Sequence, residues 1–173
     1  SDLKVVKNKL LKILPQKDEN LFFTIIHQPT LLEEGIKFAK KKKYEHAYIF
    51  YATYFEHFIN EVIDIWAKRN SIRYETSSSL IKRIGLEDKY TWLLDLLKLP
   101  KFKVIHFKCI KNISEKRNSY IHYKYKPEAA NASSEIKKTD WEKDYRNILK
   151  AISYTKRYRT KVVFGGHKNK FKI

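Results

Sequence analysis

An all-α fold is what this sequence predicts, on three observations. Four glycines and four prolines spread over 173 residues leave few positions for tight hairpins or glycine-rich phosphate loops. Leu, Ile, Lys, Glu and Ala, residues suited to helices, run through the chain. Between Tyr44 and Arg69 apolar residues return every three or four positions, which is a helical period. With 43% hydrophobic residues at this length, the chain has enough apolar surface to close one compact core.

The elements follow in order. Leu3, Val6, Leu10, Leu11 and Leu14 form the apolar stripe of a short first helix that Pro15 stops. "LFFTIIHQP" is a dense apolar run without a decisive period. In "TLLE", Thr30 as N-cap with Glu33 three residues on is a capping box, and it opens a short helix. One long helix is predicted from about Tyr44 to Arg69, with Ala47, Tyr51, Tyr54, Phe58, Val62, Ile65 and Trp66 on its stripe. Phe50 and Phe55 fall outside that stripe, so a second side of this helix is covered as well, and a partner chain is one candidate cover. The serines of "YETSSSL" cap a helix over "SLIKRIGL" that Gly85 ends. "EDKYTWLLDLLKLP" is read as one helix closed before Pro100, and Phe102 to about His122 as another, with Val104, Phe107, Ile110, Ile113 and Ile121 recurring along it. After a polar loop, a second capping box, Thr139 to Glu142, starts a last helix running to about Arg159, and "KVVF" is expected to be extended. The predicted organisation is one helical domain over residues 1–160 and an irregular basic tail over 161–173.

A formal charge of +18 sets an attractive field around the chain for polyanions, nucleic acid first. An AT-rich coding sequence, which favours Lys, Tyr, Ile and Asn, is an alternative source of part of that excess. The single cysteine, Cys109, excludes an internal disulfide framework and fits a reducing, cytoplasmic setting. No stretch reaches the roughly twenty apolar residues of a membrane span, and "SDLKVVKNKLLKIL" is too charged for a signal-peptide core. The absence of methionine leaves both removal of the initiator before Ser1 and truncation open.

Several chemistries lack their residues. Six histidines form no HExxH pattern and one cysteine cannot build a thiolate cluster, so no metal is expected. There is no P-loop, GxGxxG or GxSxG, and no cofactor is implied. What remains is "EKRNSYIHYKY", Glu115 to Tyr125. On a helix Ser114, Asn118 and His122 are one turn apart on one face, and Arg117 reaches the same edge with its long side chain. An imidazole moves protons near neutral pH, and a guanidinium holds two phosphate oxygens in a fork while charge builds on them. RNA cleavage by the ribose 2′-hydroxyl needs those two roles. Lys116, Tyr120, Tyr123 and Lys124 are suited to holding phosphates and stacking bases around them. Glu56 and Asn60 of the long helix are candidates to support Arg117. A plain alternative is a helix terminus where Arg117 and His122 only place charge near the last carbonyls.

"RNSYIH" resembles the R-x4-6-H motif of the HEPN superfamily, the higher eukaryotes and prokaryotes nucleotide-binding domains, including the polar residue after the arginine. The aromatic long helix with "YFEHFIN" and the motif near the end of a later helix are also similar, over roughly Leu31 to Lys156. The resemblance implies a HEPN-like helical bundle that dimerises through its motif helices and cuts single-stranded or looped RNA, tRNA among the candidates, without metal. It assigns Arg117 and His122 as the catalytic pair and Asn118 as the residue that orients the histidine or substrate. It further implies a bacterial or archaeal toxin or antiphage effector with an antitoxin or defence-system partner. One subgroup is neutralised by modification of a tyrosine two places after the histidine; this chain has Lys124 there. The alternatives are a non-cleaving HEPN-like module that binds RNA or a protein, and an interaction subunit that uses the aromatic helix as its interface.

Overall fold

The computed structural model describes residues 28–123 and 138–164, and among them every regular element is a helix. The helices are α1 (Gln28–Lys40), α2 (Tyr44–Arg69), α3 (Tyr74–Arg83), α4 (Leu86–Tyr90), α5 (Trp92–Leu96), α6 (Val104–Tyr123) and α7 (Lys138–Phe164). The predicted Leu3–Leu14 helix, the run up to His27, the 124–137 loop and the chain beyond Phe164 lie outside the described residues.

Helix α2 is the axis of the molecule. Its Tyr48, Tyr51, Phe55, Phe58, Ile59, Val62 and Ile63 are all 1% exposed or less, and with Tyr54 and Ala67 at 2% the buried arc spans about 220°, more than half of its circumference. Burial of a side chain of this size stabilises the fold by roughly 1.5–3 kcal/mol before chain entropy is charged. The long helices alternate in direction around it. Helix α1 is antiparallel to α2, with Gln28 on Glu61 at one end and Phe38 stacked on Phe50 at the other. Helix α6 is also antiparallel, with His46 beside Tyr120 at one end and Phe58 beside Phe102 at the other. Helix α7 runs parallel to α2, from the Tyr44–Trp141 stack to the bond between Arg69 and the Val162 carbonyl. The second side of α2 is thus covered by the chain itself: Phe55 is fully buried and Phe50 lies on α1.

The approach of α1 depends on a glycine. A Cβ on Gly35 would stand 3.0 Å from two carbons of the buried Tyr51 ring, so the helices close here only because that position has no side chain.

Several boundaries differ from the sequence reading. Helix α1 starts at Gln28, two residues before Thr30, because Pro29 in the first turn loses no helical hydrogen bond there. Helix α3 starts at Tyr74, ahead of the serines read as its caps: Ser77 is buried and its hydroxyl donates to the Tyr74 carbonyl, so it is satisfied inside the helix. Gly85 has a φ of −65° and is the N-cap of α4. The single helix expected over "EDKYTWLLDLLKLP" is two, parted at Thr91, whose backbone leaves the helical region at φ −113° and ψ −103°. The "KVVF" segment is helical, not extended. Val162 follows Tyr158 by one turn on the buried stripe, and Arg69 Nη1 caps its carbonyl at 2.7 Å.

A polar cluster joins three helices beneath the N-terminal half of α2. Tyr48 Oη donates to Asp144 Oδ2 at 2.6 Å, Lys116 forms a short ion pair with the same oxygen, and Asn112 reaches Asp144 Oδ1 at 3.4 Å. Burial and then the bond to Asp144 push the Tyr48 phenol far above its usual range, so it stays a donor. No helix among the described residues is long and apolar enough to cross a membrane.

Candidate functional site

The motif occupies the last two turns of α6, where the helix emerges from the core. Ile110 and Ile113 are fully buried and Ser114 is 7% exposed, its hydroxyl without a partner. One turn later Asn118 is exposed. Of the face shared by Ser114, Asn118 and His122, therefore, the first member belongs to the interior, while Asn118 stands at the surface.

Arg117 is held from two directions. Its Nη1 donates to Glu56 Oε2 of α2 at 3.1 Å and its Nε donates to Asn118 Oδ1 at 3.2 Å. The guanidinium side chain is 22% exposed and the Glu56 side chain 39%. A guanidinium has five N–H donors, so two fixed contacts orient the plane and leave donors for an incoming oxyanion. Glu56 is thus the support that the sequence offered for Arg117. Asn60, the other candidate, accepts from Lys89 at 2.8 Å instead.

Lys89 is a residue that sequence reasoning does not select. It is 3% exposed, and burial pushes its ammonium below the usual range while the charge of Glu56 opposes that shift. Glu56 consequently lies in the field of two cations, Arg117 from α6 and Lys89 from α4. "EDKY" opens the helix read over "EDKYTWLLDLLKLP"; only the fold of α4 onto α2 buries its lysine.

The remaining motif residues separate. The Lys116 ammonium is engaged inside the chain by Asp144 and the Tyr48 hydroxyl, and it lies 5.0 Å from the Tyr48 ring. Tyr120 is half-buried beside His46, which is stacked on Phe38 at 5.1 Å. His122 follows Asn118 by one turn of α6, and Tyr123 is the last residue of that helix. Lys124 lies outside the described residues. Cys109, half-buried on α6, has its thiol pushed up to about 12 by burial and then by Asp144, so it is not a nucleophile at neutral pH. Among the described residues no group of three or more His, Cys, Asp or Glu side chains could hold a metal ion.

Chemically, the arrangement is an oriented, partly exposed guanidinium about 1.4 helical turns before a histidine. The chain matches no family model, no curated protein and no solved structure.

Proposed function

We propose that this protein is a metal-independent endoribonuclease of the HEPN type, acting as a homodimer on single-stranded or looped RNA. One observation carries the reading: Arg117, within the "RNSYIH" string that resembles the family motif, is fixed by Glu56 at 3.1 Å and by Asn118 at 3.2 Å rather than free in solvent. A helix terminus that merely needed positive charge has no use for a guanidinium oriented by two acceptors.

In this reading His122 removes the proton of a ribose 2′-hydroxyl, and the resulting oxygen attacks the adjacent phosphorus. The bond from phosphorus to the 5′-oxygen breaks, and the leaving oxygen takes a proton from the imidazolium of the paired site. Arg117 holds the non-bridging oxygens while their charge grows. The products are a 2′,3′-cyclic phosphate and a 5′-hydroxyl. Asn118 orients Arg117 or the histidine, and two motif helices, one from each chain, supply the pair of Arg/His sets. A role as a toxin or antiphage effector in the cytoplasm, restrained by a partner protein, follows from the same resemblance.

The test is incubation of the purified protein with RNA in EDTA, with the ends of the fragments mapped. Cleavage to cyclic-phosphate ends is expected, with a loss of at least about 100-fold for Arg117→Ala and for His122→Ala at unchanged melting temperature. Loss of activity on chelation, or an Arg117→Ala/His122→Ala double variant that cuts like the parent, would overturn the reading. RNA binding without cleavage in the parent would mark the protein as a binding module.

A further inference from the structure

The exposed face of α7 carries a line of positive charge that the Arg117 site does not use. From Tyr145 to Phe164 this helix has no carboxylate. Lys143, Arg146, Lys150, Arg157 and Lys161 are all exposed. At 3.6 residues per turn these five fall within an arc of about 60°, along about 27 Å of axis. Among the described residues none of these five makes an ion pair, whereas Asp144 pairs with Lys116 of α6 and Arg159 with Glu61 of α2. Like charges one turn apart repel one another, so the line weakens the helix that carries it.

At its middle the line widens onto α6. The His106 ring lies flat on Tyr154, with centroids 4.4 Å apart, and Lys103 Nζ stands 5.9 Å from the same Tyr154 ring. Lys150 and Arg157 flank Tyr154 at four residues before and three after. Their fields converge on His106, whose imidazole is pushed below its usual value by burial first and then by Lys103, Arg157 and Lys150. No carboxylate opposes them there.

We propose that this ridge, Lys143 to Lys161 with Lys103 beside its centre, binds the phosphate backbone of an RNA strand. The polyanion is taken as RNA because of the ribonuclease reading; the ridge itself is argued from charge and geometry. A convex helix face presents cations outward without a groove, so it grips backbone and does not read bases. An anionic membrane is a poorer match: lipid-binding helices set large apolar side chains beside the cations of the same helix, whereas on α7 only Leu149 among the described large apolar side chains is notably exposed, at 43%, and the exposed Val104 and Ile105 belong to α6.

The test measures the affinity of the full chain for a 2′-O-methylated oligouridylate, which lacks the attacking hydroxyl and stays intact, over a range of salt concentrations. Five phosphate contacts predict a slope of log K against log salt of about −3.5, and Lys150→Gln/Arg157→Gln should flatten it by about 1.4 and weaken binding at least about tenfold. Circular dichroism should show both proteins equally helical, since the two side chains are exposed and unpaired. Arg117→Ala/His122→Ala should abolish cleavage of unmodified RNA and leave this slope in place. Unchanged affinity and slope in the Gln variant would overturn the ridge proposal, as would a slope moved only by the motif variant, or tighter binding to phosphatidylserine vesicles than to RNA. A parent that binds through the ridge but never cuts would overturn the ribonuclease reading and leave the ridge standing.

Discussion

His106 shows how a single side chain acquires its properties from neighbours that the sequence does not bring together. Burial against Tyr154 and the cations Lys103, Arg157 and Lys150 lower its affinity for a proton, so the folded state prefers the neutral ring. The unfolded chain, with an ordinary value near 6.5, then binds more protons than the folded one as the pH falls. Stability is expected to decline from pH 6.5 down to the lowered folded value and to level off below it. Urea midpoints of the parent and of His106→Gln, compared between about pH 7.5 and 5, isolate this contribution. Identical pH profiles for the two proteins would contradict it. The same lesson applies at the candidate site. Arg117, Asn118 and Glu56 were legible because residue type and helical spacing point to them. Lys89 was not, since a lysine in "EDKY" is buried only by a packing decision taken elsewhere in the chain.

Among the elements, the termini of α1, α2 and α5 share one device. Each ends on a residue with positive φ, Lys42 at 58°, Ser71 at 55° and Lys98 at 54°. In each the next N–H reaches back five residues: Lys43 to Phe38 at 3.0 Å, Ile72 to Ala67 at 2.9 Å and Leu99 to Leu94 at 2.9 Å. These are Schellman motifs, which glycine ordinarily occupies because a Cβ makes the left-handed conformation costly. Lys42→Gly, Ser71→Gly and Lys98→Gly should each stabilise the protein by roughly 0.5–1 kcal/mol, read as a rise in melting temperature. A fall on all three would show that these side chains make contacts worth more than the backbone strain. The extent of α2 was readable from its long apolar period, whereas the endings written in lysine and serine had no glycine to mark them. The break at Thr91 has no glycine or proline to mark it either, and in "KVVF" an arginine distant in sequence caps the continuation of α7.

For the whole molecule, the all-α class was legible because composition and periodicity agree over most of the described length. The relative placement of the helices was not, since it rests on pairs far apart in sequence. Asp144 is the clearest of these, receiving bonds from Tyr48 of α2 and from Asn112 and Lys116 of α6. Asp144→Asn should cost about 2 kcal/mol in urea unfolding, less than a fully enclosed ion pair because the Lys116 side chain is 34% exposed. No loss would mean that solvent compensates Lys116 fully. The position of α2 has a hereditary consequence. Every other long helix leans on it, so its Tyr48, Phe55, Phe58 and Ile59 leave little room for mutational drift, while exposed positions outside the α7 ridge tolerate exchange. Distant descendants of this gene should therefore retain one recognisable segment, residues 44–69, inside chains that have otherwise diverged.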